Sequence, residues 1–338
     1  LGADGMETFV DKNNINILYG TTQFGGLYKS TNQGASAFGI GSPENKSGNW
    51  VTPFEQDPIV QNVIYGGYDH VYKSIDGGSN WLAISQNFGS NLDHLKIAAS
   101  DSDVMYTSFG NKLYKTTDGG ATSWTLLSGF AGSINSIAVH PSNPDMVAIA
   151  TTGSQKVYVS TNGGSNWSSY LLDLPGFSAR ALVWEDNGND GLYLGMNYGV
   201  YYTDNTLTGW EPFSNNLPNV IISELEINTV TDEIYAASYG RGLWKSHLFN
   251  DQLSVEEFEL NSLAVFPNPT DSEINIRWDR NEKLQIRMYD ALGKLVLATQ
   301  EDNFTNDLKL NISTLSGGIY FLRLNTSNAV ITKKIVVN

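Results

Sequence analysis

The phrase KSIDGGSNW at residues 73–81 returns as KTTDGGATSW at 115–124 and as VSTNGGSNW at 159–167. Its acid or amide falls at Asn32, Asp76, Asp118, Asn162 and Asp204, at intervals of 44, 42, 44 and 42 residues. A repeat of this length is one supersecondary unit that buries its apolar face only by stacking on its neighbours. Around the phrase each unit carries an alternating apolar run such as SINSIAVHPSNPD. A strand with a near-regular Tyr follows (ILYG, VIYG, VMYT, LYLG, EIYA), then a second strand (GLYKS, HVYKS, KLYKT, KVYVS, GVYYT, GLWKS). A last strand opens on Trp or Phe. Four short alternating strands per unit of about 43 residues describe a propeller blade.

The expected fold class is therefore all-β: a multi-blade β-propeller over 1–250 with about six repeat units visible, then a small Ig-like β-sandwich. The sixth unit, closing at YGRGLWKSHL, lacks the phrase and a fourth strand. Propellers commonly close by borrowing a strand from the other terminus, yet the chain opens directly on DGMETFVDKNN, itself a first-strand sequence. The expectation is that further blades precede Leu1. With no basic-then-apolar leader at its start, the chain reads as a mature or truncated piece.

The repeated phrase resembles the Asp-box of BNR-repeat propellers, found in sialidases, sortilin-type receptors and two-propeller xyloglucanases. Residues 74–81, 116–124 (with one inserted residue) and 160–167 carry the match through Asp76, Gly78 and Trp81, Asp118, Gly120 and Trp124, and Asn162, Gly164 and Trp167. Asn32 with Phe38, and Asp204 with Trp210, match in part. Asp or Asn at a turn start accepts main-chain N–H bonds, and Gly-Gly supplies positive φ. The Trp is expected to lie across the hairpin. Because Asn162 replaces the acid, the position suits a turn cap and not a general acid. These residues are expected to fasten hairpins and not to catalyse.

Catalytic groups must then lie elsewhere. The sialidase resemblance implies a three-arginine clamp, whereas residues 1–252 contain only Arg180 and Arg241. The xyloglucanase resemblance implies two opposed carboxylates, one of them in the stretch equivalent to YGTTQFGGLYKS, where Gln23 stands here. Asp4, Asp69 and Asp186 are the candidate pore-facing acids, each equally readable as a solvated turn residue. His70, His94, His140 and His247 fall in separate units without zinc-ligand spacing. No catalytic residue and no metal ligand is assigned. The run EDNGND at 185–190 reads as a polar turn first and a loose Ca²⁺ site second, so no cofactor is expected.

Charge excludes other classes. Net charge is −15, and residues 1–252 hold 24 acids against 11 bases. Such a surface repels nucleic acid. No apolar run is long enough to span a bilayer, so direct membrane insertion is not expected. There is no cysteine.

After residue 250 the repeat stops. Residues 251–262 read as an acidic, extended linker. From Leu263 come about seven alternating strands with turns at Ala291-Leu292-Gly293 and Ser316-Gly317-Gly318. Residues 263–338 resemble the type A C-terminal sorting domain of the Por-type (type IX) secretion system of Bacteroidota. Phe266-Pro267-Asn268-Pro269 matches its opening, Tyr289 to Leu295 with Leu292 and Gly293 its hairpin, Gly318 to Tyr320 its third motif, and Lys333-Lys334 its close. A generic Ig-like adhesion module is the alternative for this segment. The resemblance implies passage through the periplasm and an outer-membrane translocon, capture by a shuttle barrel protein, and a sortase cut around Glu259 to Ser262. The expected protein is extracellular or at the surface of a Gram-negative cell. Its propeller is read as an adhesion module for a glycan or a surface protein, with a glycoside hydrolase as the alternative.

Overall fold

A computed structural model describes residues 3–249, 263–325 and 330–338. The linker at 251–262 and the expected cut at Glu259 to Ser262 lie outside the described residues. The chain divides into two compact units, Leu1–Leu248 and Phe249–Asn338.

In the first unit every repeat becomes one antiparallel sheet. The first is β1 (Gly5–Val10), β2 (Leu18–Thr22), β3 (Gly26–Ser30) and β4 (Phe38–Gly39); the second is β5 (Phe54–Gln56), β6 (Ile64–Gly67), β7 (Val71–Ser74) and β8 (Leu82–Ala83). The third is β9 (His94–Ala98), β10 (Asp101–Phe109), β11 (Lys112–Thr116) and β12 (Thr125–Leu127), and the fourth β13 (Ile134–Val139), β14 (Val147–Thr151), β15 (Val157–Ser160) and β16 (Ser168–Ser169). The fifth is β17 (Ala179–Glu185), β18 (Gly191–Met196), β19 (Val200–Thr203) and β20 (Glu211–Pro212). The sixth has three strands, β21 (Ile222–Asn228), β22 (Glu233–Ser238) and β23 (Gly242–His247). These are the blades of a β-propeller. Strands alternate in direction, so the turns after the first and third strands of a blade share one end of the unit. The turn after the second strand and the connection to the next blade share the other.

Apolar side chains on both faces of the middle strands fill the seams between blades. One seam holds Val104, Tyr106, Ile137, Val147 and Ile149; the next holds Ala148, Val157, Leu182, Trp184 and Leu194. A second strand such as β14 is buried at all five positions because both its faces meet a neighbouring blade. Between the first and sixth blades lies an open cleft of about 740 Å³ lined by Met6, Glu7, Glu224, Glu226 and Tyr235.

The Asp-box phrases form the turns between third and fourth strands. Asp76 Oδ1 accepts the N–H groups of Ser79 and Asn80, both at 2.9 Å, and the Ser74 hydroxyl at 2.8 Å. Ser74 Oγ in turn accepts the Gly78 N–H at 2.8 Å. Asn162 repeats the arrangement with Asn166 N–H and Ser160, Asn32 with Ser36 N–H and Ser30, and Asp118 with Thr116. Asp204 instead caps Thr206 and Leu207 and accepts the Tyr202 hydroxyl. The indoles reach further than the hairpin. Trp124 Nε1 donates to the Ile84 carbonyl at 3.0 Å, and Trp210 Nε1 to that of Tyr170 at 2.9 Å, each in the preceding blade. Trp81 and Trp167 pack in the corresponding seams.

The second unit contains β24 (Ala264–Phe266), β25 (Glu273–Asp290), β26 (Leu295–Asn311), β27 (Gly318–Asn325) and β28 (Val330–Val337). β26 runs the length of one edge of β25, while β24 and then β27 pair along the other. About seven strands are expected from sequence and five are found among the described residues, because β25 and β26 pass uninterrupted through register shifts near Asn281 and Leu284. The bent sheet encloses one core around Ile276, Trp278, Ile286, Met288, Phe304, Leu322 and Ile335.

Candidate functional site

The first strand of each blade lines a central channel, and alternation decides what it presents there. In β5, Phe54 and Gln56 are buried in the blade while Glu55 points inward; in β9, Leu95 is buried between His94 and Lys96. A cavity of about 260 Å³ results, lined by Glu7, Glu55, His94, Lys96, Asn135, Arg180 and Glu224.

Lys96 Nζ pairs with Glu55, and that attraction raises its pKa further above the ordinary lysine range. Burial pushes the Glu7 carboxyl up to about 7, helped by Glu224, Glu55 and Glu226 and opposed by Lys96. Burial, with Glu226, also raises Glu224. His94 Nε2 lies 3.0 Å from the Asn135 carbonyl, which only accepts, so Nε2 carries the proton and Nδ1 accepts from Ser108 at 2.9 Å. Burial lowers its pKa, keeping the ring neutral. The channel thus holds an easily protonated carboxyl beside a charged Glu–Lys pair.

Exposed aromatic pairs mark the end of the propeller formed by the turns after second strands and the inter-blade connections. Phe24, in the Gln23–Gly25 turn, and Trp50, in the connection to the second blade, meet edge to face at 5.3 Å. They are 51 % and 54 % exposed, large values for rings in contact. Phe24 sits at φ +63°, ψ +23°, a left-handed conformation uncommon for a bulky side chain. It is held there by the Phe24 N–H to Trp50 carbonyl bond (3.3 Å) and the Gly48 N–H to Phe24 carbonyl bond (2.9 Å). The next residue, Val51, lines the channel. A second exposed pair, Phe177 and Tyr198, lies in the equivalent connection and turn of the fifth blade, with ring centroids 4.5 Å apart.

The acids singled out from sequence lie elsewhere. Asp4 is exposed ahead of β1. Asp69 is engaged by Lys46 at 2.8 Å, His70 at 3.1 Å and Asn87 at 3.1 Å. Asp186 is exposed in the turn after β17, at the end opposite the aromatic pairs. In that turn Asn187 Oδ1 accepts from Asn189 and Gly191, and Asp190 from Asn205. Among the described residues no three acidic or histidine side chains converge on a metal-binding point. Glu7, Glu55, Lys96 and Glu224 escaped the sequence reading. Their one signal was position, each being a charge in the first strand of a repeat.

In the second unit the tail motifs serve separate purposes. Asn268 pins the Phe266–Pro269 loop to β28, donating from Nδ2 to the Lys334 carbonyl (2.7 Å) and accepting the Val336 N–H (2.8 Å). Gly293 takes φ +81° in a turn capped by Asp290, leaving Leu292 exposed. Gly318 opens β27, and Tyr320 is buried with its hydroxyl on the Ser316 carbonyl at 2.8 Å. Tyr289 and Lys334 stand on the outer side of the sheet, while Lys333 lies on the core side at its edge strand. Residues 264–338 match the family described as the secretion system C-terminal sorting domain.

The chain ends in a sorting domain. Such a domain directs export by type IX secretion to the cell surface or extracellular space. No helix among the described residues is long and apolar enough to cross a membrane. No curated protein sequence matches the chain. Solved structures share its fold at low identity. A GH74 xyloglucanase from Xanthomonas campestris superposes with a TM-score of 0.58 at 14 % identity, over 90 % of this chain and 59 % of that one. The extracellular domain of a hybrid two-component system from B. thetaiotaomicron gives 0.57 at 13 %, over 99 % and 50 %. An ancestral GH74 enzyme gives 0.56 at 16 %, over 89 % of this chain and only 38 % of its own length. The chain with its sorting domain thus spans less than two thirds of each, and the likeness is one of fold.

Proposed function

We propose that the protein is an exported glycan-binding module. The sorting domain carries it through the type IX translocon, where a shuttle barrel protein and a sortase receive residues 263–338. The propeller then holds a glycan against its aromatic end. The observation that carries this reading is the Phe24–Trp50 pair, two exposed rings fixed by a strained turn beside the channel. Rings that are half solvated yet rigidly held offer flat apolar faces at little ordering cost, as sugar faces require. The shared fold with a xyloglucanase supports a polysaccharide as the ligand class.

Glycan-array binding of the full chain tests this. Trp50→Ala is expected to remove most of the signal while leaving the unfolding transition unchanged. Array binding that survives Phe24→Ala, Trp50→Ala and Tyr198→Ala alike rejects the aromatic end as the site.

A second reading, a glycoside hydrolase, draws on the raised Glu7 carboxyl beside Glu224 and Glu55, since a proton donor next to a second carboxyl group is the minimal equipment for glycoside cleavage. Release of reducing ends that disappears in Glu7→Gln supports it over the first.

A further inference from the structure

The sorting domain has a sheet face that nothing among the described residues of its unit covers. Strands β26, β25, β27 and β28 lie side by side there, and their registers align Leu295, Tyr289, Phe321 and Lys334 in one row. The flanking residues Met288, Tyr320, Leu322 and Ile335 enter the core, so the row projects outward. Phe321 is 40 % exposed and Leu295 48 %; Ile319, paired with Val336 two positions along, is 47 % exposed.

In the next row Arg287 stands directly opposite Arg323. Like charges at directly opposed positions destabilise a strand pair, so folding does not ask for this arrangement. The ion pairs among the unit's described residues join other side chains: Arg277 with Asp307, Lys283 with Asp302, and Lys309 with Glu273. Arg287, Arg323 and Lys334 therefore meet no carboxylate among the described residues. A chain of net charge −15 thus keeps a cationic, partly aromatic face on the domain that marks it for export.

We propose, resting on the reading that residues 264–338 direct export, that this face docks onto a protein of the secretion machinery that presents an apolar strip edged by carboxylates. Arg and aromatic side chains are the residue types that dominate binding energy in protein interfaces. Opposed charge would orient the sorting domain on its partner. Three cations fall short of the clusters of about four to eight that mark binding to anionic lipid, which favours a protein surface.

The test is export of the full-length chain in a host with the secretion system, read as the ratio of surface or medium to periplasmic protein. The double variant R287E/R323E is expected to cut that ratio about tenfold or more, as loss of a steering charge pair does, with folded chain accumulating in the periplasm. Phe321→Ser should act likewise, and Lys309→Glu, away from the face, should not. If a chain lacking residues 264–338 is still exported, the export reading itself fails. If that chain is retained while R287E/R323E and Phe321→Ser are exported at wild-type levels, export by the domain stands and the docking face is overturned. Binding of the purified chain to anionic phospholipid vesicles that R287E/R323E abolishes, with export unaffected, also overturns it.

Discussion

Trp124 donates its indole N–H to the main-chain carbonyl of Ile84, 3.0 Å away and 40 residues earlier, and so crosses from one blade to the one before it. The same carbonyl faces Gly120, which holds φ +83°, and a Cβ there would overlap the Ile84 oxygen. One phrase of sequence thus closes a turn and locks a seam.

Trp124→Ala should therefore cost about 3–5 kcal/mol, the range for emptying a large buried aromatic site. Gly120→Ala should also destabilise, through the backbone overlap and the left-handed φ. Urea unfolding of the purified chain measures both; losses below about 1 kcal/mol contradict the seam role of the indole.

The Asp76 carboxylate should stabilise the fold mainly above about pH 4. Hydrogen bonds from Asn80 and Ser74 hold its carboxyl down at about 2, and Thr122 and Thr116 do the same for Asp118. A carboxylate with a depressed folded pKa adds stability that is complete above its unfolded value and is lost as pH falls through the folded one. The chain should lose stability between about pH 4 and pH 2 from this source. Asp76→Asn should flatten that loss, lowering the thermal midpoint at pH 7 while leaving it nearly unchanged near pH 2, as followed by circular dichroism.

Glu7 has the opposite sign. Its carboxyl is raised to about 7 in the folded protein, so the native state binds more protons than the unfolded chain between about pH 4.5 and 7. Stability from this group falls as pH rises through that window. Glu7→Gln should raise the thermal midpoint at pH 8 relative to wild type and leave it nearly unchanged at pH 4. An unchanged midpoint at pH 8 contradicts the crowded-acid description of the channel.

The blades were legible because their signals are local. The two-residue alternation, the Gly-Gly turns and the 42–44-residue spacing each depend on neighbours in sequence, and the sheets fall where these place them. The direction of the indoles was not legible: Trp124 was expected to cover its own hairpin, and only the stacking of blades brings Ile84 within reach. The channel stayed hidden for the same reason. Glu7, Glu55, Lys96 and Glu224 come from four blades and meet only at the centre, whereas Asp69, conspicuous in its turn, is taken up by Lys46 and His70. In the tail, ordered short motifs identified the domain, yet the row from Leu295 to Lys334 needs the strand registers.

The most direct test of the binding role is incubation of the full-length chain with insoluble polysaccharides, measuring retained protein and released reducing ends in the same samples. The binding account predicts retention that falls about tenfold or more in Phe24→Ala/Trp50→Ala, as loss of central aromatic contacts does, with no reducing ends released. Release of reducing ends by the wild type, abolished in Glu7→Gln, would contradict it.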